Sequence, residues 1–77
     1  PIYHNHIYSN DNIIYIQTPG RKTWSVEIYN IHGQLVASDK VDRQDFKRII
    51  LNVNTGYYTV QMISGDQSIT KKVLIME

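Results

Sequence analysis

Residues 57–76 read YYTVQMISGDQSITKKVLIM, and this stretch decides the fold. In its first half, large apolar side chains alternate with polar ones, which is the period of a strand with one buried face. The pair Gly65-Asp66 then supplies a tight turn, and β-branched residues continue after it. The stretch therefore predicts a β-hairpin of two antiparallel strands, Tyr57–Ser64 and Gln67–Met76.

The rest of the chain repeats this pattern of short apolar segments separated by turn residues. Regular spacing of this kind is typical of a β-sandwich or a β-barrel. No longer segment has the period of an amphipathic helix. The remaining predicted strands are Ile2–Tyr8, Ile13–Gln17, Trp24–Asn30, Gln34–Ser38 and Phe46–Val53, the other predicted turns are Ser9–Asn12, Pro19–Gly20, His32–Gly33 and Asn54–Gly56, and Asp39–Asp45 is predicted to be an exposed loop.

Composition favours the same fold class. The chain has twelve Ile and six Val against three Leu and one Ala, together with eight aromatic residues. β-branched and aromatic side chains fit a pleated, half-buried surface, whereas Ala and Leu favour helices. We therefore predict an all-β domain, a small seven-stranded antiparallel β-sandwich. The expected buried residues are Trp24, Val26, Ile28, Ile49, Leu51, Val53, Tyr58, Val60, Met62, Val73 and Ile75.

Length and charge restrict the possible classes of protein. A chain of 77 residues forms a single domain, 1–77, with a thin core. It begins with Pro1 rather than Met, so we expect it to be a domain excised from a larger protein. The net charge of +1 is too balanced for a nucleic-acid partner, and the apolar runs are too short for insertion into a membrane.

Residues with catalytic or metal-binding chemistry are sparse. Cysteine is absent, and the sequence has no Gly-x-Ser-x-Gly segment and no cluster of glycines that could cradle a phosphate. His4 and His6 would share one face of a strand, but two ligands do not make a zinc site and no third is evident. We therefore expect no enzyme activity, no catalytic residue, no cofactor and no bound metal.

Two further clusters have both a binding and a structural interpretation. The six tyrosines could form a strip that stacks on carbohydrate or binds protein, but core packing and cross-strand pairing explain most of them. The segment Asp42–Arg48 mixes both signs of charge, which is typical of a solvated loop.

Three segments carry a pattern in a fixed order: Ile28–Val36 reads IYNIHGQLV, Leu51–Met62 reads LNVNTGYYTVQM and Lys71–Ile75 reads KKVLI. They resemble the I-Y-x-x-x-G-x-x-V, L-x-x-G-x-Y-x-V-x-I and K-K-V-x-I segments of the C-terminal sorting domain of the type IX secretion system. Together with the strands between them, they extend the resemblance over about residues 13–76.

The resemblance implies a seven-stranded Ig-like sandwich that serves as a secretion signal on a secreted cargo protein. Its partners would be the type IX translocon of the outer membrane and a cell-surface sortase. The cargo would pass through the periplasm and then be released or attached at the cell surface. The family's Pro-Asn-Pro type of opening is not clear before Ile13, so the resemblance does not place a cleavage point. The positions that match the family's motifs are Gly33, Gly56, Tyr58, Lys71, Lys72, Val73 and Ile75.

Elementary structural roles account for most of these positions. Gly33 and Gly56 are expected to satisfy turns, and Gly56 to supply a positive φ. The apolar members are expected to fill the core. Only Lys71 and Lys72 look free to be recognised by a partner.

A rival interpretation is an Ig-like accessory module or carbohydrate-binding module that shares only the sandwich fold. Such a module should expose a flat strip of aromatic rings. We also expect self-association at high concentration, as a homodimer or a strand swap through Ile2–Tyr8 or Gln67–Met76, because edge strands carry unpaired backbone groups.

Overall fold

The computed structural model describes residues 5–77, which form seven β-strands in the expected order. This part of the chain contains no helix, and therefore none that could cross a bilayer. The strands are β1 (His6–Asn10), β2 (Ile13–Gln17), β3 (Thr23–Tyr29), β4 (Leu35–Asp42), β5 (Phe46–Ile50), β6 (Gly56–Ser64) and β7 (Gln67–Ile75).

The strands form two antiparallel sheets that enclose one core. One sheet has the order β1-β2-β5 and the other the order β4-β3-β6-β7. The hairpin predicted over residues 57–76 is the pair β6–β7, whose register runs from Gly56 opposite Ile75 to Ser64 opposite Gln67. The predicted all-β sandwich is therefore confirmed, and its arrangement is consistent with an Ig-like fold.

The core lies between the sheets and is mainly aliphatic, because alternate residues of each strand point inward. All of the expected core residues except Val53 are buried, and Val53 is partly buried against the core. The buried side chains are Ile7, Ile14, Ile16, Trp24, Val26, Ile28, Val41, Ile49, Leu51, Tyr58, Val60, Met62, Val73 and Ile75.

The prediction of an exposed loop over Asp39–Asp45 is wrong in its first half. Strand β4 continues through Asp42, and Val41 is completely buried opposite Trp24 of β3. The charged residues on both sides of Val41 made this part of the sequence resemble a loop. The strand nevertheless continues, because β3 provides backbone hydrogen-bond partners as far as Asp42. At the margin of the sandwich, the carboxylate of Asp39 lies 3.7 Å from Lys47 Nζ on β5.

Other boundaries differ by a few residues. Ser9 and Asn10 belong to β1, so the predicted turn Ser9–Asn12 is reduced to its last two residues. The predicted strand Phe46–Val53 ends at Ile50. The first residues of the predicted strand Ile2–Tyr8 lie outside the described residues.

The segment Leu74–Glu77, which we call the β7 clasp, ties β7 to loops and to the other sheet. Its three hydrogen bonds run from Ser9 Oγ to the Leu74 carbonyl (2.6 Å), from the Met76 amide to the Asp11 carbonyl (2.9 Å) and from the Glu77 amide to Thr55 Oγ1 (3.0 Å). The clasp therefore joins β1, the β1–β2 turn and the segment before β6 to the end of β7.

Candidate functional site

Gly33 lies in the turn between β3 and β4. Its amide donates a hydrogen bond to the Asn30 carbonyl at 3.0 Å, and its φ of +79° is a conformation that residues with a Cβ rarely adopt. Asn30 Oδ1 also accepts hydrogen bonds from the amides of His32 and Gln34. The geometry of the turn therefore accounts for Gly33.

The prediction that Gly56 supplies a positive φ is wrong. Gly56 is the first residue of β6, opposite Ile75, and its φ is not positive. A Cβ placed on it would have a ring carbon of Tyr58 as its nearest neighbour, at the ordinary contact distance of 4.0 Å. Neither backbone conformation nor space requires glycine here.

Tyr58 is buried in the core near the start of β6. Its hydroxyl donates a 2.6 Å hydrogen bond to the carbonyl of Asn54, four residues upstream. A tyrosine that bonds back to the preceding corner in this way is a hallmark of Ig-like sandwiches. Tyr58 thus fixes the β5–β6 corner and satisfies its own buried hydroxyl.

Val73 and Ile75 point inward from β7 and are buried, as expected. Val73 lies opposite Tyr58 and Ile75 lies opposite Gly56. Their apolar side chains contribute to the shared core and are not accessible to a partner of the folded domain.

Lys71 and Lys72 are both exposed, but they point to opposite faces of the sheet. Lys71 has the inward register of Val73 and Ile75, and it remains in solvent at the edge of the sandwich. Lys72 points outward, and its Nζ lies 5.7 Å from the centre of the Tyr57 ring. The two lysines therefore present their charges to different surroundings.

Strand β7 is an edge strand with part of its free side available. The clasp uses the carbonyl of Leu74 and the amide of Met76, which must therefore point away from β6. In an antiparallel strand, residues two apart point their backbone groups to the same side. The backbone groups of Thr70 and Lys72 consequently face the free edge.

Sequence analysis missed a shallow groove on the outer face of the four-stranded sheet. Its volume is about 440 Å³. The hydroxyl of Tyr29 donates a 2.9 Å hydrogen bond to Glu27 at its border, and this bond raises the pKa of Tyr29 above its usual value. The residues that line the groove are Tyr29, Asn30, Ile31, Gly33, Tyr57, Thr59 and Lys72.

An aromatic ladder lies on the outer face of the other sheet. The rings of Tyr8 and Tyr15 stack at 5.1 Å and 14°, and Tyr15 and Phe46 lie 6.1 Å apart at 32°. Strands are spaced by about 4.8 Å, so rings that stack on cross-strand neighbours stand upright and cover one another's faces. The ladder is not the flat platform that a carbohydrate-binding module should expose.

Within residues 5–77, no three His, Asp or Glu side chains are grouped closely enough to hold a metal ion. His6 is exposed on β1. His4, the other member of the candidate pair, lies outside the described residues.

The family described as "Secretion system C-terminal sorting domain" matches residues 7–76. The match begins within β1 and ends after β7, so it includes all seven positions of the predicted sorting-signal set. No curated protein matches the chain.

Proposed function

The chain belongs to the family of secretion system C-terminal sorting domains, and we propose that it directs its cargo by binding first the outer-membrane translocon and then a cell-surface sortase. As a member of this family it is a sorting signal for type IX secretion, on a protein exported to the cell surface or the medium. In this proposal the cargo waits in the periplasm, and the domain acts by binding and catalyses nothing.

The accessibility of the motif residues supports recognition of the folded domain through β7. Tyr58, Val73 and Ile75 are buried, and Gly33 adopts the positive φ that the β3–β4 turn requires. Lys71 and Lys72 project from an edge strand into solvent. They are the motif side chains that a partner can reach without unfolding the sandwich, and their charge is the feature that carries the proposal.

The test is export of a reporter that carries a signal peptide and this chain, in a cell with the secretion system. We expect the unaltered chain to send the reporter outside the cell. The double substitution Lys71→Gln/Lys72→Gln should leave the reporter in the periplasm. Most exposed substitutions change the free energy of unfolding by no more than about 0.5 kcal/mol, so the double variant should stay folded.

A matched control removes the same charge elsewhere, with Lys40→Gln on β4 and Arg48→Gln on β5, both exposed. We expect this control to be exported normally. Thermal unfolding of both double variants separates lost recognition from lost structure, which a deletion of residues 72–77 cannot do because it also removes Val73 and Ile75. Normal export of the β7 double variant would exclude its lysines as the recognised feature.

A further inference from the structure

The strand register assembles an apolar patch at one end of the outer face of the four-stranded sheet. Tyr29 pairs with Leu35 on β4 and with Thr59 on β6, and Thr59 pairs in turn with Lys72 on β7. One step further along, Tyr57 pairs with Leu74. Ile31, in the β3–β4 turn, lines the groove beside these residues. The outer-face patch consists of Tyr29, Ile31, Leu35, Tyr57, Thr59, Lys72 and Leu74.

Several large apolar side chains of this patch are exposed to solvent. Ile31 is 75% exposed although it is one of the chain's most apolar side chains, and Leu35, Tyr57 and Leu74 are exposed as well. Contiguous exposed apolar side chains mark interaction sites more often than scattered ones do. The opposite end of the same face carries mainly polar residues, among them Ser25, Lys40, Gln61, Ser68 and Thr70, with Ile63 half-buried between them, so the exposed apolar side chains lie at one end.

Of the patch residues, Lys72 alone is charged. The acidic side chain of Glu27, two residues before Tyr29 on the same face of β3, already accepts the hydrogen bond of Tyr29. The Lys72 ammonium lies over the ring of Tyr57, and Lys72 itself is exposed. A partner that covers the patch must therefore supply an opposite charge, since a buried cation without a counter-charge is costly.

We propose that the outer-face patch docks a component of the secretion machinery through a protein segment in which apolar side chains surround one carboxylate. The carboxylate meets Lys72, and the apolar side chains cover Ile31, Leu35 and Tyr57. This inference rests on the proposed function and names the surface and the chemistry of its partner. It also assigns different tasks to the two lysines, because Lys71 lies on the other side of the sheet.

Charge decides against a second copy of this chain as the occupant. In a two-fold symmetric dimer the same patch faces itself, so the Lys72 of each copy would be covered by a surface that carries no acidic side chain. Like charges in a covered apolar patch repel each other strongly. A partner with an acidic residue removes this penalty.

The test compares single substitutions in the reporter fusion. Ile31→Thr and Lys72→Gln change the patch. Ile50→Thr, at a residue that is 64% exposed on the other sheet, and Lys40→Gln, at an exposed residue near the polar end of the same face, are the matched controls. We expect each patch substitution to reduce export about tenfold and each control to leave it unchanged. Lys72→Glu should reduce export further, because it places a like charge opposite the partner's carboxylate.

Several outcomes would overturn the inference. One is normal export of both patch variants while the unaltered chain is exported, which leaves the proposed function intact. Another is an equal loss for Lys40→Gln and Lys72→Gln, which would point to overall charge and not to the patch. A third is loss of self-association in Ile31→Thr with normal export, which would make the patch a dimer interface. Failure of the unaltered chain to export the reporter would instead contradict the proposed function itself.

Discussion

At the scale of single residues, the two motif glycines illustrate how a shared pattern can have different physical causes. Gly33 adopts a φ of +79°, and nothing lies within 4 Å of the position that a Cβ would occupy. Glycine is therefore favoured here by the backbone conformation and not by lack of space. Gly56 has neither a positive φ nor a close neighbour. Substituting each of them therefore separates a structural requirement from recognition.

We expect Gly33→Ala to lower the free energy of unfolding by about 1 kcal/mol, because alanine disfavours the left-handed backbone region. Gly56→Ala should be neutral or slightly stabilising, because alanine restricts the unfolded chain and fits the strand. Urea denaturation of both variants measures these changes. A large destabilisation by Gly56→Ala would contradict the strand geometry described for this residue.

The sequence predicted residue roles where one side chain has one dominant property. Burial of Tyr58 and exposure of the two lysines both follow from polarity and alternation. The sequence could not predict the hydrogen bond from the Tyr58 hydroxyl to the Asn54 carbonyl, because it depends on how the chain folds at the corner before β6. It also could not predict the different surroundings of Lys71 and Lys72, because these depend on the packing of the two sheets. The positive φ assigned to Gly56 failed because a glycine after Asn-Thr suggests a turn, whereas the pairing with Ile75 makes it part of a strand.

At the scale of elements, β7 depends on the clasp as well as on its pairing with β6. Ser9 Oγ donates to the Leu74 carbonyl across the gap between the two sheets. We expect Ser9→Ala to lower the free energy of unfolding by about 0.5–1 kcal/mol, since one hydrogen bond at an exposed position is lost. The Met76 amide, bonded to Asp11, should also exchange its hydrogen faster.

Urea denaturation and hydrogen exchange measure these two effects, and Ser38→Ala on the exposed part of β4 is the matched control. Unchanged exchange at Met76 in the Ser9 variant would indicate that the Ser9 hydrogen bond does not help to hold the clasp.

The accuracy of the strand predictions also differs from one strand to another. Strand β3 alternates cleanly and was placed within a residue at each end. In β2 the run Ile13-Ile14-Tyr15-Ile16 has no alternation, so its inward residues could not be chosen from the pattern. Strand β4 contains Val41 among charged residues, and only the pairing of Val41 with Trp24 shows that the strand continues there.

At the scale of the whole molecule, small size and open edges favour association. The core of a domain of fewer than about 80 residues without disulfides rarely supplies more than ~3–5 kcal/mol of stability. Pairing between the edge strands of two copies would therefore add substantially to the stability of the fold. We expect the isolated domain to self-associate at millimolar concentration through the free edge at Thr70 and Lys72. Lys71 opposes this pairing, because a charge in the inward register discourages addition of another strand.

Analytical ultracentrifugation of the unaltered chain and of Lys71→Thr tests this expectation. The Lys71→Thr variant should dimerise at a lower concentration than the unaltered chain. A monomer at millimolar concentration in both proteins would contradict it. The outer-face patch should not contribute, so Ile31→Thr should associate as the unaltered chain does.

The candidate site illustrates the limit of sequence analysis at this scale. Four strands and a turn contribute to the outer-face patch, and its first and last residues, Tyr29 and Leu74, lie 45 positions apart in the chain. Only the cross-strand register brings Leu35, Tyr29, Thr59 and Lys72 into one row. Sequence motifs identified Lys72, but they carried no information about its neighbours.

The position of β7 in the chain affects when the sandwich can be completed during protein synthesis. Strand β7 supplies Val73 and Ile75 to the core, and its clasp holds together β1 and the segment before β6. A ribosome makes all other strands before this one, so a prematurely terminated chain lacks the piece that closes the fold. A chain that stops before β7 cannot complete its core, so the sandwich of this domain is finished only once β7 has been translated.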